Sequence, residues 1–323
     1  MTGRPFDDIR DLVASMPAPD SAVMETVRQT VSPKDDILIP LGTAGPHLEW
    51  LAGWQGRSPA IDRPLIAVFA GTHGVSSQIL DTDIIAASSA RVKTLTEGTA
   101  AIRGIAASLG SAFKVYELGV EHSSENFTQA PSLSEKDCAA AIAFGMEVVA
   151  EGADIIALGS AGFGAATAAA GIMRGIYGGT SEYWADGTSD TAKARIAAVE
   201  AGARLHQDKL NDPLHVLRCF GGRDIAGMVG AILAARHQSI PVILDGYVVC
   251  SAAAVLHKLN PDAISHCIAG HVTREPAHQA VLDRIELSPL LDLGIGIGDG
   301  TGAGFAMGML RSAAQGFATL KTS

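Results

Sequence analysis

The chain alternates short apolar runs with longer alanine-rich segments. Four runs, PLIAVFA (64–70), FKVYELGV (113–120), DIIALGS (154–160) and PVILDGY (241–247), are almost continuously apolar, and AISHCIAG (263–270) is a weaker fifth. Such runs predict strands covered on both faces. The segments 83–109, 135–151, 165–177, 189–209, 222–237 and 249–259 read as helices. Strands alternating with helices predict an α/β fold with a doubly wound, mostly parallel sheet. No strand shows in the first sixty residues. Residues 1–60 and 305–323, including most of a helix over 302–318, are expected to form a smaller helical domain, and 61–304 the large α/β domain that carries the site.

The strand ends are small or polar: Gly71-Thr72-His73-Gly74, Gly159-Ser160, Asp245-Gly246 and Gly270-His271. Ligands of open α/β sheets lie beyond the carboxyl ends of the strands, so these tips are expected to converge. Two glycine clusters stand out. LGSAGFGAATAAAG (158–171) follows a strand and opens a helix, where bare amides can cradle a phosphate; helix–strand close packing explains it equally well. Thr167 could add a hydroxyl to that first turn. LDLGIGIGDGTGAG (291–304) holds six glycines in fourteen residues and sets Asp299 between Gly298 and Gly300. As a helix cap this acid would be structurally ordinary, whereas as a general base it would sit where a ligand can approach closely. His73, His271 and Asp245 are further candidates at strand tips. For each, a structural hydrogen bond is the plain alternative, and Asp245 could cap the next helix or orient a ligand.

Composition narrows the function. Hydrophobic residues make up 47% of 323, enough for a large core, and the net charge of −10 argues against a nucleic-acid partner. No apolar run has the length of a membrane span, and the acidic start MTGRPFDDIRDL does not resemble an export signal. Cys138, Cys219, Cys250 and Cys267 lack metal-ligand spacing and read as reduced core thiols of a cytoplasmic protein. Neither a GK[ST] loop nor a GxGxxG after the first strand occurs, which leaves an NAD-dependent oxidoreductase without support.

Taken together, the motifs resemble the nicotinate-nucleotide–dimethylbenzimidazole phosphoribosyltransferase family of cobalamin lower-ligand synthesis. The resemblance runs through PLGTAGPHLEWLAGWQG (40–56), VFAGTHGV (68–75), NFTQAPSLS (126–134) and EGADIIALGSAGFGAAT (151–167). It is strongest in DPLHVLRCFGGRDIAGMVGAILAAR (212–236), PVILDGYVVCSAAAVL (241–256), HCIAGHVTREPAH (266–278) and LLDLGIGIGDGTGAG (290–304). It implies a homodimer, nicotinate mononucleotide and a benzimidazole-type base as substrates, and an α-ribotide formed with inversion as nicotinate leaves. No metal or redox cofactor is implied. The resemblance casts Asp299 as general base, with Ser160, Gly162, Gly164, Thr167, Asp245, Gly298, Gly300 and Gly302 shaping the nucleotide site. Arg195 would supply positive charge, and Leu41, Gly42, Thr72 and His73 would line the aromatic slot.

The chain departs from the family pattern at the site itself. Asp299 stands where the family has a glutamate, Gly296 where it has an arginine, and Ser160 where it has a second acid. Ala165 and Ala166 replace Asn and Thr, and Arg195 aligns with a family lysine, Lys193 being close by. Two readings follow: a working transferase with an altered azole or nucleotide preference, or a paralogue that binds azole or nucleotide without the chemistry. The surviving acid and glycine frame favour the first.

Overall fold

The computed structural model describes residues 4–31, 41–185 and 190–320. Its centre is a sheet of six strands: β1 (Pro64–Ala70), β2 (Ala112–Glu117), β3 (Ile155–Ser160), β4 (Val242–Asp245), β5 (Cys267–His271) and β6 (Pro289–Leu291). Their order is β2-β1-β3-β4-β5-β6 and every pairing is parallel.

Period-two side-chain alternation divides the core in two. Leu65, Ala67 and Phe69 of β1 join Ile156, Leu158, Val242 and Leu244 on one face, under the helices Glu135–Gly145, Ala165–Tyr177, Pro213–Phe220, Arg223–His237 and Gly246–Leu259. Ile66, Val68 and Ala70 point the other way with Ile155, Ala157 and Ile243. There they meet the helices Ile84–Thr96, Ala101–Ser108 and Thr301–Leu320. Helices of the first sixty residues go to both faces: Ile9 and Val13 enter the first cluster, whereas Val27, Leu48 and Leu51 enter the second beside the C-terminal helix.

Three features differ from the pattern reading. β2 is an edge strand, with Ala112, Lys114 and Glu117 exposed: the run FKVYE alternates, and no strand among the described residues pairs beyond it. The expected helix 83–109 is two helices. Asp83 caps the first by accepting the Ile85 and Ala86 amides at 3.0 Å each, and Gly98, at φ +88°, turns the chain away after it. β6 lies outside the expected strands, since three residues beside a glycine-rich loop give almost no strand signal. The expected helix 189–209 starts one residue outside the described residues, and its described part is Asp190–Leu205.

Candidate active site

Both glycine clusters lie at the carboxyl end of the sheet and touch. The Ser160 amide donates to the Gly298 carbonyl at 2.6 Å. Below this contact Asp245, fully buried at the end of β4, reaches across to the loop that follows β6. Its Oδ2 accepts the Gly300 amide and its Oδ1 the Ala303 amide, both at 2.7 Å, while His271 Nε2 lies 2.9 Å from Oδ1. Asp245 therefore caps the twenty-residue helix Thr301–Leu320, whose positive N-terminal end favours carboxylates, rather than the helix that follows it in sequence.

Asp299 stands at the same helix end. Its Oδ1 accepts from the Thr301 amide at 3.2 Å and from the Thr301 hydroxyl at 2.6 Å, and Oδ2 makes no hydrogen bond among the described residues. The side chain is 5% exposed, and what it faces is an apolar cleft of about 470 Å³ whose walls include Ala90, Leu95, Ala100, Ala101 and Ile297. One oxygen is fixed by the helix, and the residue forms part of the cleft wall.

A second cavity, of about 400 Å³, lies over the exits of β3, β4, β5 and β6. Ser160, Gly162, Gly164, Ala165 and Ala166 line it together with Gly298, Tyr247 and Glu275. The amides of Gly162, Gly164 and Ala166 find no acceptor among the described residues, and they sit at the N-terminus of a thirteen-residue helix. Unpaired amides at a helix N-terminus are groups that favour a bound anion. Arg91 and Ile297 line both cavities, so the apolar cleft and the amide cradle meet at one junction. Another groove, of about 440 Å³ beside Lys93, Glu117 and His122, flanks the edge strand and contains neither glycine loop.

The expected site residues thus separate into four groups. Asp299, Ser160, Gly162, Gly164 and Gly298 line the two cavities. Thr72, His73, Asp245, Thr167, Gly300 and Gly302 lie beneath them. Thr72 Oγ1 is bonded to Ser88 Oγ at 2.6 Å and to the Val120 carbonyl at 2.7 Å. His73, 1% exposed, pairs with Asp224 at 3.0 Å. Arg195 is at the rim, where it pairs with the cavity-lining Glu275 at 2.7 Å. Leu41 and Gly42 form the fourth group: Leu41 packs toward Gly316, about 25 Å along the C-terminal helix from Asp299 at 1.5 Å per residue, and neither residue lines either of these two cavities.

Two of the glycines are dictated by these buried pairs. A Cβ on Gly162 would lie 2.0 Å from Asp224 Oδ2, and one on Gly302 would lie 2.1 Å from His271 Cδ2. Sequence reasoning passed over Arg91, Asp224 and Glu275. Arg91 offers only a faint signal, a lone cation after five small residues in IIAASSARVK; Asp224 follows Gly221-Gly222 at a helix start. One buried histidine, His278, lies beside the floor, and another, His266, precedes β5 at the opposite, amino end of the sheet. His278 accepts the Thr273 amide at 2.9 Å, and desolvation pulls its pKa down to about 3; His266, beneath the helix Arg223–His237, is likewise lowered to about 3.

An acid at an apolar cleft, beside unpaired amides at the carboxyl end of a parallel α/β sheet, is an arrangement able to hold a flat apolar group next to an anion. Comparison with known proteins agrees: a family model described as phosphoribosyltransferase matches residues 16–323. The chain is 44% identical over 328 residues to the nicotinate-nucleotide–dimethylbenzimidazole phosphoribosyltransferase of Rhizobium meliloti (strain 1021), covering 98% of this chain and 96% of that one. It is 43% identical to the protein of the same name from Brucella suis biovar 1, at 99% and 97% coverage. The crystal structure of the Thermus thermophilus protein of that name superposes with a TM-score of 0.83 at 29% identity, over 92% of this chain and 96% of the other. The chain belongs to the nicotinate-nucleotide–dimethylbenzimidazole phosphoribosyltransferase family.

Proposed function

We propose that this chain moves the 5-phosphoribosyl group of nicotinate mononucleotide onto a benzimidazole-type base, within assembly of the cobalamin nucleotide loop. The observation that carries this reading is the junction: an apolar cleft floored by Asp299 opens onto a cavity lined by unpaired amides. The flat base fits the cleft and the 5′-phosphate fits the amides of Gly162, Gly164 and Ala166. Asp299 Oδ2 takes the N–H proton of the azole while its other ring nitrogen forms the bond to C1′. The C1′–pyridine bond breaks with its electron pair on nicotinate, and the configuration at C1′ inverts to the α-ribotide. The leaving group travels on the nucleotide, so no further reagent balances the step. Positioned proton transfer of this kind contributes about 10²- to 10⁴-fold in rate.

The same reading makes the protein a cytoplasmic homodimer. All four cysteines are free and buried. Leu293, Ile297 and Phe305 are 53%, 38% and 46% exposed on and beside the Asp299 loop, and a second copy would cover them. No helix among the described residues is long and apolar enough to cross a membrane. Incubating the purified chain with nicotinate mononucleotide and 5,6-dimethylbenzimidazole, and separating the products by chromatography, tests the proposal. Equal amounts of nicotinate and α-ribotide are expected; a folded protein that yields neither contradicts it.

A further inference from the structure

A phosphate dianion bound by amides alone lacks a counter-charge, and the cation expected from the sequence, Arg195, is committed elsewhere. Its guanidinium pairs with Glu275 at 2.7 Å, so the two together bring no net charge to the cavity. Arg91 lies differently. It extends from the helix Ile84–Thr96 into the wall of the amide-lined cavity. No carboxylate pairs with it among the described residues, which is what sets it apart from Arg195; its Nε, like that of Arg195, is buried without a hydrogen-bond partner. An unpaired guanidinium donor at the edge of an anion cradle is costly unless a ligand completes it.

We propose that Arg91 is the cation that holds the 5′-phosphate, closing the cradle formed by the amides of Gly162, Gly164 and Ala166. This assignment rests on the transferase reading for the identity of the nucleotide, but not for the chemistry recognised, which is a phosphate monoester on a sugar. A planar fork suits two phosphate oxygens at once, and a position shared by both cavities would orient C1′ toward the base in the cleft. The phosphate charge is then met from the helix end on one side and from Arg91 on the other.

Calorimetric titration of the whole protein with ribose 5-phosphate and, separately, with nicotinate tests this. For Arg91→Gln the dissociation constant for ribose 5-phosphate is expected to rise about 10- to 100-fold, the scale of a lost hydrogen bond to a charged group. Arg91→Lys, which keeps the charge and loses the fork, should fall between it and wild type. The nicotinate constant should change by no more than about twofold, the limit set by a weak, non-specific charge effect. Unchanged ribose 5-phosphate affinity in Arg91→Gln overturns the assignment, as does a loss confined to nicotinate, which would make Arg91 the partner of the pyridine carboxylate. Thermal melts of both variants separate a folding defect from lost binding. Should wild type make no ribotide and yet bind ribose 5-phosphate through Arg91, the transferase reading falls and this assignment stands.

Discussion

Asp245 Oδ2 accepts the Gly300 amide at 2.7 Å, joining residues fifty-five positions apart. Through this bond and its partner to Ala303, the end of β4 fixes the start of the C-terminal helix, and with it the position of Asp299. Removing the carboxylate would strand two amides and His271 in a fully buried place. Asp245→Ala is expected to cost about 3–5 kcal/mol, the scale for breaking a buried pair, measured by denaturant unfolding, and to abolish transfer.

Asp299→Asn separates chemistry from architecture. Asparagine caps a helix about as well as aspartate, so the melting temperature should move by no more than about 2 °C. The neutral amide cannot accept the azole proton, and kcat should fall about 10²- to 10⁴-fold in initial-rate assays. Full activity in this variant would assign the proton transfer elsewhere.

Steric predictions attach to two glycines. Gly162→Ala drives a methyl into Asp224, and Gly302→Ala drives one into the His271 ring, both more than an ångström inside ordinary contact. Each is expected to lose about 1–3 kcal/mol of stability or more, because neither neighbour is a flexible chain end. Gly296→Ala is the control: nothing lies within 4 Å of its Cβ direction and its φ is ordinary, so stability should hold.

Acid should destabilise the fold through its histidines. His266 and His278 have folded pKa values lowered by burial to about 3, below the ordinary 6.5, and remain neutral in the native state. The unfolded chain takes up these protons first as the pH drops. Stability from this source is therefore complete above about pH 6.5 and is lost progressively down to about pH 3, at roughly 1.4 kcal/mol per pH unit for each histidine at most. Melting temperatures across about pH 7.5 to 4.5, a range that spans the unfolded histidine pKa, check the sign; a rise on acidification contradicts it.

Strands β1, β3 and β4 were legible because burial on both faces leaves unbroken apolar runs, and the two glycine loops were legible because they follow strands or open helices. The roles within the site were less so. Asp245 shows its task only once β4 lies beside the loop after β6, a contact no local spacing encodes. His73 looks like a strand-tip candidate in sequence, yet Asp224, 151 positions away, draws it under the floor. Arg91 sits in an alanine-rich helix whose local pattern asks for nothing but solvent, and it gains meaning only from the cavity it enters. Leu41 and Gly42 share a conspicuous block with the family, but the path of a single subunit carries them to the far end of the C-terminal helix.

In the proposed reaction one short acid and one bare-amide cradle serve the two halves of a single transfer. A crystal structure with nicotinate mononucleotide and dimethylbenzimidazole bound to the slow Asp299→Asn variant tests it most directly. The account predicts phosphate oxygens within about 3 Å of the amides of Gly162, Gly164 and Ala166, and an azole nitrogen within about 3 Å of the residue-299 side chain. Phosphate bound away from that helix end, or a base lying outside the Ala90–Ile297 cleft, would contradict it.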